Sequence, residues 1–177
     1  QCSLSKVMSN GDEIKKFTGS KYAVALINGS TALYLSLYLI GVNRDTEVLV
    51  PALNYIASAN AVVQLGGTPH FVDVEEQTLG PDVEKLDSYL LRKCKIINGF
   101  CYNKEKKKKI VAIIVTHIFG HPAKIKDILR LCSKYKIELI EDAAEALGSL
   151  YHGKHVGYFG RAGVLSFNGN KIITTGG

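Results

Sequence analysis

Residues 137–149 read IELIEDAAEALGS and residues 163–171 read GVLSFNGNK. The first stretch opens as a short apolar strand, Ile137–Ile140, that stops on two carboxylates, Glu141 and Asp142. The second opens as a strand, Gly163–Phe167, that runs into a loop carrying Lys171, 29 positions beyond Asp142. A carboxylate and a lysine thus stand at the ends of two neighbouring strands.

Upstream, Ile110–Val115 (IVAIIV) predicts another buried strand. The turn signals Gly120 and Pro122 follow, then a helix over Ile125–Tyr135. Earlier runs read the same way. Tyr22–Ile27 (YAVALI), Glu47–Val50 (EVLV) and Thr68–Val72 (TPHFV) predict strands. Leu33, Leu37 and Ile40 mark a helix that stops at Gly41. Tyr55–Leu65 predicts a second helix, and Leu79–Leu91 a third on the stripe Val83, Leu86 and Leu90. A short helical pattern surrounds Glu13–Phe17, and residues 92–109 read as a long connection. Continuously apolar strands alternating with helices imply an α/β fold: a mostly parallel sheet covered on both faces. In such folds functional residues gather at the carboxyl ends of the strands. Asn28–Thr31, Tyr55, Asp142 and Lys171 all fall there.

Bulk properties exclude several classes. With 177 residues and 46% hydrophobic content, the chain can build one sizeable core. No apolar run reaches the ~20 residues of a membrane-spanning helix. Of the net charge of +6, +4 sits in KEKKKK at 104–109. That run lacks interleaved aromatics and arginines, so it reads as a solvated loop rather than a nucleic-acid surface. Four cysteines, Cys2, Cys94, Cys101 and Cys132, show no metal spacing and suit a reducing, cytoplasmic setting. His117 and His121 are interrupted by Gly120, which argues against a metal pair on a helix. No dinucleotide or ATP motif is present.

Two local patterns point to an anion and to a flat ring. Asn28-Gly29-Ser30-Thr31 joins a predicted strand to a helix start, where free backbone N–H groups and the helix dipole favour a phosphate. From this motif alone an ordinary N-cap is the better reading, and the strand-end aspartate and lysine tip it toward a phosphate. Tyr55 follows a strand end, where an aromatic face suits stacking on a ring or plain packing. A strand-end aspartate and a lysine are the two groups that a pyridoxal 5'-phosphate (PLP) enzyme needs. The lysine links to the cofactor aldehyde, and the aspartate pairs with the pyridinium nitrogen.

NGSTALYLSL, HIFGHP, EDAAEALGS and SFNGNKIITTGG, in this order and spacing, resemble the DegT/DnrJ/StrS family of PLP-dependent nucleotide-sugar aminotransferases. The wording SFNGNK is most similar to the branch that makes legionaminic-acid-type sugars. The resemblance implies an aspartate aminotransferase-like large domain of fold type I. It implies Lys171 and Asp142 as catalytic residues. It adds Gly29, Ser30, Thr31, Tyr55, Glu145, Ser166 and Asn168 to them as cofactor-binding residues, with Ser166 on the phosphate. Glu145 stands where some relatives have His or Gln.

It further implies L-glutamate as amino donor, a UDP-linked 4-keto-6-deoxy-N-acetylhexosamine as acceptor, a cytoplasmic homodimer, and no nucleic-acid or membrane partner. Lysine-lacking 3-dehydratases share this fold, and the presence of Lys171 argues against them. Residues 1–177 are expected to form part of the large PLP-binding domain, without the smaller C-terminal domain. The alternative expectation is an inactive fragment with only a binding or assembly role.

Overall fold

The computed structural model describes residues 4–175. Cys2, Gly176 and Gly177 lie outside the described residues. Helix α1 spans Leu4–Thr18 and α2 Gly29–Leu39. Strand β1 (Thr46–Pro51), helix α3 (Ala57–Gln64), strand β2 (Thr68–Val72) and helix α4 (Val83–Lys93) follow. Then come β3 (Cys94–Ile97), β4 (Phe100–Asn103), β5 (Lys109–Thr116), α5 (Ile125–Tyr135) and β6 (Glu138–Asp142). A small hairpin, β7 (Leu150–Tyr151) and β8 (Lys154–His155), precedes β9 (Ala162–Val164).

Strands β2, β1, β5, β6 and β9 lie side by side and parallel. Their side chains alternate between the faces, and each face has its own core. Leu49, Ile113 and Leu139 pack with Leu86 and Leu90 of α4 and with Ile128 and Leu131 of α5. Val48, Val50, Ile114 and Ile140 pack instead with Leu33 and Leu37 of α2 and Val62 of α3. This is the helix-covered parallel sheet expected from the continuous apolar runs.

Three expectations are corrected. The region 92–109 holds an antiparallel hairpin, β3 and β4, whose turn residues Asn98 (φ 50°) and Gly99 (φ 79°) both take left-handed backbone. Asn-Gly is the pair that such tight turns favour. The hairpin fills the first part of one β5 edge, and β6 takes the rest.

The run 22–27 is not a strand. Apolar character alone does not make one; a strand also needs a neighbour to bond, and no described strand pairs with this run. Tyr22, Val24 and Ile27 remain 74–79% exposed.

Helix α4 begins at Val83 rather than near Leu79. Asp82 caps it by accepting from Lys85 N at 3.0 Å, and Leu79 sits at φ 59° outside it.

The lysine run is exposed over 104–107, as a solvated loop should be. Its far end docks on the sheet. Lys108 Nζ donates to Thr68 Oγ1 at 2.9 Å, and the Lys109 ammonium lies over the Phe100 ring.

Candidate active site

Strand β6 ends in two carboxylates that serve different purposes. Glu141 is fully buried. Its Oε2 accepts from Gly157 N at 2.8 Å and lies 3.1 Å from His117 Nε2; its Oε1 accepts from Gly160 N at 2.6 Å. His117 Nδ1 accepts from Ala123 N at 3.2 Å, so its proton sits on Nε2 and points at Glu141. Glu141 therefore closes the loop over 157–160 and is spent on structure.

Asp142 is 4% exposed and faces α3. Its Oδ1 accepts from Ala144 N at 3.2 Å, and its Oδ2 accepts from Ser58 Oγ at 3.3 Å. Burial pushes its carboxyl pKa up. The two hydrogen bonds, His117 and Lys171 pull it part of the way back. The charge of this carboxylate is thus held under strain, which a cationic ligand group beside it would relieve. Thr116, the register partner of Asp142 on β5, has a buried Oγ1 without a partner.

The loop after β9 brings the lysine. Lys171 N donates to Asn168 O at 3.0 Å, which closes the turn that presents the side chain. Lys171 Nζ then donates to Glu145 Oε1 at 3.1 Å. Asn168 is exposed, and its side chain bonds Asn170 at 3.1 Å. It shapes the lysine turn through its carbonyl.

The N-terminus of α2 meets the same strand end. A Cβ placed on Gly29 would lie 3.8 Å from Ser166 Oγ, so the helix start and Ser166 are neighbours. Asn28 caps the helix: its Oδ1 accepts from Thr31 N at 2.8 Å. The N-cap reading of this motif therefore holds, and Thr31 N–H is already occupied. The N–H groups of Gly29 and Ser30 precede the helix's own bonds, so they are the donors left for an anion. Ser30 and Tyr55 line one cavity of about 230 Å³ with Ile56, Ala57 and Asn60. Tyr55 is 74% exposed, so its ring face is not used up by packing.

These residues fit PLP. Ser30 and Ser166 beside a helix start would suit a phosphate, Asp142 a ring nitrogen and Lys171 an aldehyde. Ser58 and Thr116 were missed by sequence reasoning. A serine one turn after a strand has no signature that separates it from a surface serine. Among the described residues, no group of three or more His, Cys, Asp or Glu is gathered to hold a metal. No helix of these residues is long and apolar enough to cross a membrane.

A parallel α/β sheet with these groups at its carboxyl end is the architecture of the fold type I PLP-dependent aminotransferases. The aminotransferase from Psychrobacter cryohalolentis superposes with a TM-score of 0.83 at 33% identity, over 97% of this chain and 39% of that one. The GDP-perosamine synthase of Escherichia coli O157:H7 is 38% identical over 177 residues, 96% of this chain and 44% of that protein. EpsN of Bacillus subtilis, assigned by name to the PLP-dependent aminotransferases, is 35% identical over 97% of this chain and 42% of its own length. The family profile matches residues 6–177: the chain belongs to the DegT/DnrJ/EryC1/StrS aminotransferase family. It spans less than half the length of these relatives.

Proposed function

We propose that this chain is the cofactor-binding part of a sugar aminotransferase that moves an amino group from L-glutamate to a 4-keto-6-deoxy nucleotide sugar. Family membership supports the reaction class. The observation that carries the residue assignment is Asp142, a buried carboxylate at a strand end, with Lys171 among the charges acting on it.

When bound, PLP supplies an electron sink and carries the amino group between donor and acceptor. Lys171 would provide the amine that holds the cofactor aldehyde, and the same amine would move a proton on the substrate carbon. Asp142 pairs with the ring nitrogen through a charge-assisted hydrogen bond. Gly29, Ser30 and Ser166 take the phosphate, Tyr55 stacks on the ring, and Thr31, through its capped N–H, orders the helix start. Glu145 restrains Lys171 in an ion pair until the cofactor arrives, and Asn168 shapes its turn.

For the acceptor we favour a UDP-linked N-acetylhexosamine, on the wording of SFNGNK. A GDP-linked keto sugar is the second reading, favoured by the E. coli relative. On the family resemblance the whole enzyme is a homodimer, of whose large domain residues 1–177 form part. Free, buried Cys94, Cys101 and Cys132 suit a cytoplasmic setting.

The experiment is to incubate the protein with PLP, reduce with borohydride and map the labelled peptide. Label on the peptide containing Lys171 is expected; label elsewhere rejects the assignment. Turnover with L-glutamate and each of the two keto sugars, followed as 2-oxoglutarate, decides the acceptor.

A further inference from the structure

We propose that Ser58 is a positioning residue of this site: its hydroxyl orients the Asp142 carboxylate while its amide fixes the turn that carries Tyr55. The ligand's identity rests on the proposed function; the positioning itself stands on geometry. Ser58 is fully buried in α3, and its Oγ donates to Asp142 Oδ2 at 3.3 Å across 84 residues of sequence. Its N–H donates to Tyr55 O at 3.1 Å. One residue thus links the aspartate to the tyrosine proposed to stack on the ring.

A helical serine ordinarily turns its hydroxyl back to the carbonyl four residues earlier. Ser36 in α2 does so, donating to Ala32 O at 2.8 Å. Ser58 stands in the first turn of α3, where the carbonyl four residues back precedes the helix, and its hydroxyl reaches across to β6. Around it Ala59, Ala61 and Val62 are buried, so the hydroxyl meets the carboxylate away from water. With Ala144 N on Oδ1 and Ser58 on Oδ2, each carboxylate oxygen has one protein donor and keeps a lone pair. That fixes the carboxylate plane without using up its capacity to accept from a ligand. The other side chains that act on Asp142 are His117 and Lys171, and both stay in place when Ser58 is replaced.

The test begins on the chain without PLP. The Asp142 carboxyl is titrated by carbon NMR in the wild type, Ser58→Ala and Ser58→Thr, with Asp142→Asn identifying the signal. Ser58→Ala is expected to raise the midpoint by about one unit, since a hydrogen bond to a charged group contributes about 1.5 kcal/mol. Ser58→Thr restores it. In the same series Ser58→Ala binds PLP about tenfold more weakly, and Ser58→Thr does not.

An unmoved midpoint in folded Ser58→Ala overturns the proposal, even if PLP affinity falls. If Ser58→Ala does not fold, Ser58→Cys takes its place; it keeps the volume with a weak donor, and the same two outcomes decide. A wild type that never captures PLP, with the midpoint still moved by Ser58→Ala, sinks the proposed cofactor and leaves the positioning role supported.

Discussion

Lys171 Nζ lies 3.1 Å from Glu145 Oε1, so the proposed cofactor lysine starts out paired with a carboxylate from the loop after β6. The Lys171 side chain is 18% exposed and that of Glu145 is 47% exposed. An ion pair this open to water contributes about 0–1 kcal/mol. Its importance lies in position, because the pair must break before the lysine reaches an aldehyde. Glu145→Gln is therefore expected to leave thermal stability within about 1 kcal/mol of the wild type. It speeds PLP capture by about twofold to fivefold, the range that about 0.4–1 kcal/mol allows. Stopped-flow absorbance of the lysine-bound cofactor reads the rate. Capture slowed by the substitution would show that Glu145 guides the lysine rather than restrains it.

Asp142 is expected to cost the empty fold stability. Burial raises its pKa above the ordinary value, so its ionisation is harder in the folded chain than in the unfolded one. Stability is thus lost as pH rises past the ordinary value of 3.8. Asp142→Asn removes that cost. Its amide oxygen still accepts from Ala144 N, and the Ser58 hydroxyl can turn to accept from its NH₂. The ligand-free variant should melt at or above the wild-type temperature at pH 7. Half-transamination with L-glutamate should slow by roughly a hundredfold or more, if about 3 kcal/mol is lost with the ring partner. A variant that unfolds without ligand would make Asp142 a structural residue instead.

Glu75 carries the opposite sign. Burial pushes its carboxyl up, but hydrogen bonds from Thr78, Lys124 and the N–H groups of Gln77 and Thr78 outweigh that and hold it at about 2. The carboxylate also meets Lys124 at 3.1 Å, just ahead of α5. Its contribution is present above the ordinary 4.5 and is lost as pH falls toward 2. Between those values Glu75→Gln should lose melting temperature less steeply than the wild type. Parallel melting curves from pH 6 to 2 would remove Glu75 from the acid response.

The parallel strands were legible because runs such as IVAIIV and EVLV are apolar on both faces and end on turn residues. Such runs have few folded alternatives. YAVALI has the same character and is not a strand, since partner choice is a tertiary property that a run does not encode. The β3–β4 hairpin carried its signal in Asn98-Gly99, yet the lysines after it gave the region the look of a loop.

The site divides likewise. Asp142 and Lys171 were legible as reactive groups at strand ends. Ser58 was not, because only the packing of α3 on the sheet turns it toward β6. For Glu141 the sequence showed a second carboxylate beside Asp142 and gave no hint that it bonds a loop.

That loop bond makes the strongest stability prediction. Glu141 accepts from Gly157 N and Gly160 N and faces His117 Nε2, and the carboxylate and the imidazole are both fully buried. Behind these bonds the chain is packed without slack. A Cβ on Gly160 would lie 2.5 Å from Leu139 O, and one on Gly163 would lie 1.9 Å from Gly157 O. Glu141→Ala strands the buried His117 donor and two half-buried amides at once. Each donor left unsatisfied away from water costs about 1–3 kcal/mol, so the three together take a large share of the roughly 5–15 kcal/mol that holds a domain together. Glu141→Gln keeps one accepting oxygen but points an NH₂ at a backbone donor, so about 1–3 kcal/mol is expected. Because β9 and the turn bearing Ser166 and Lys171 follow directly, PLP capture should fail in Glu141→Ala even at temperatures where the rest of the sheet survives. Urea denaturation reads the loss as a lower midpoint, and amide exchange at Gly157 and Gly160 reads its location. Wild-type exchange rates at those two amides in Glu141→Ala would mean that the loop is held by its own turns and that the buried carboxylate is dispensable.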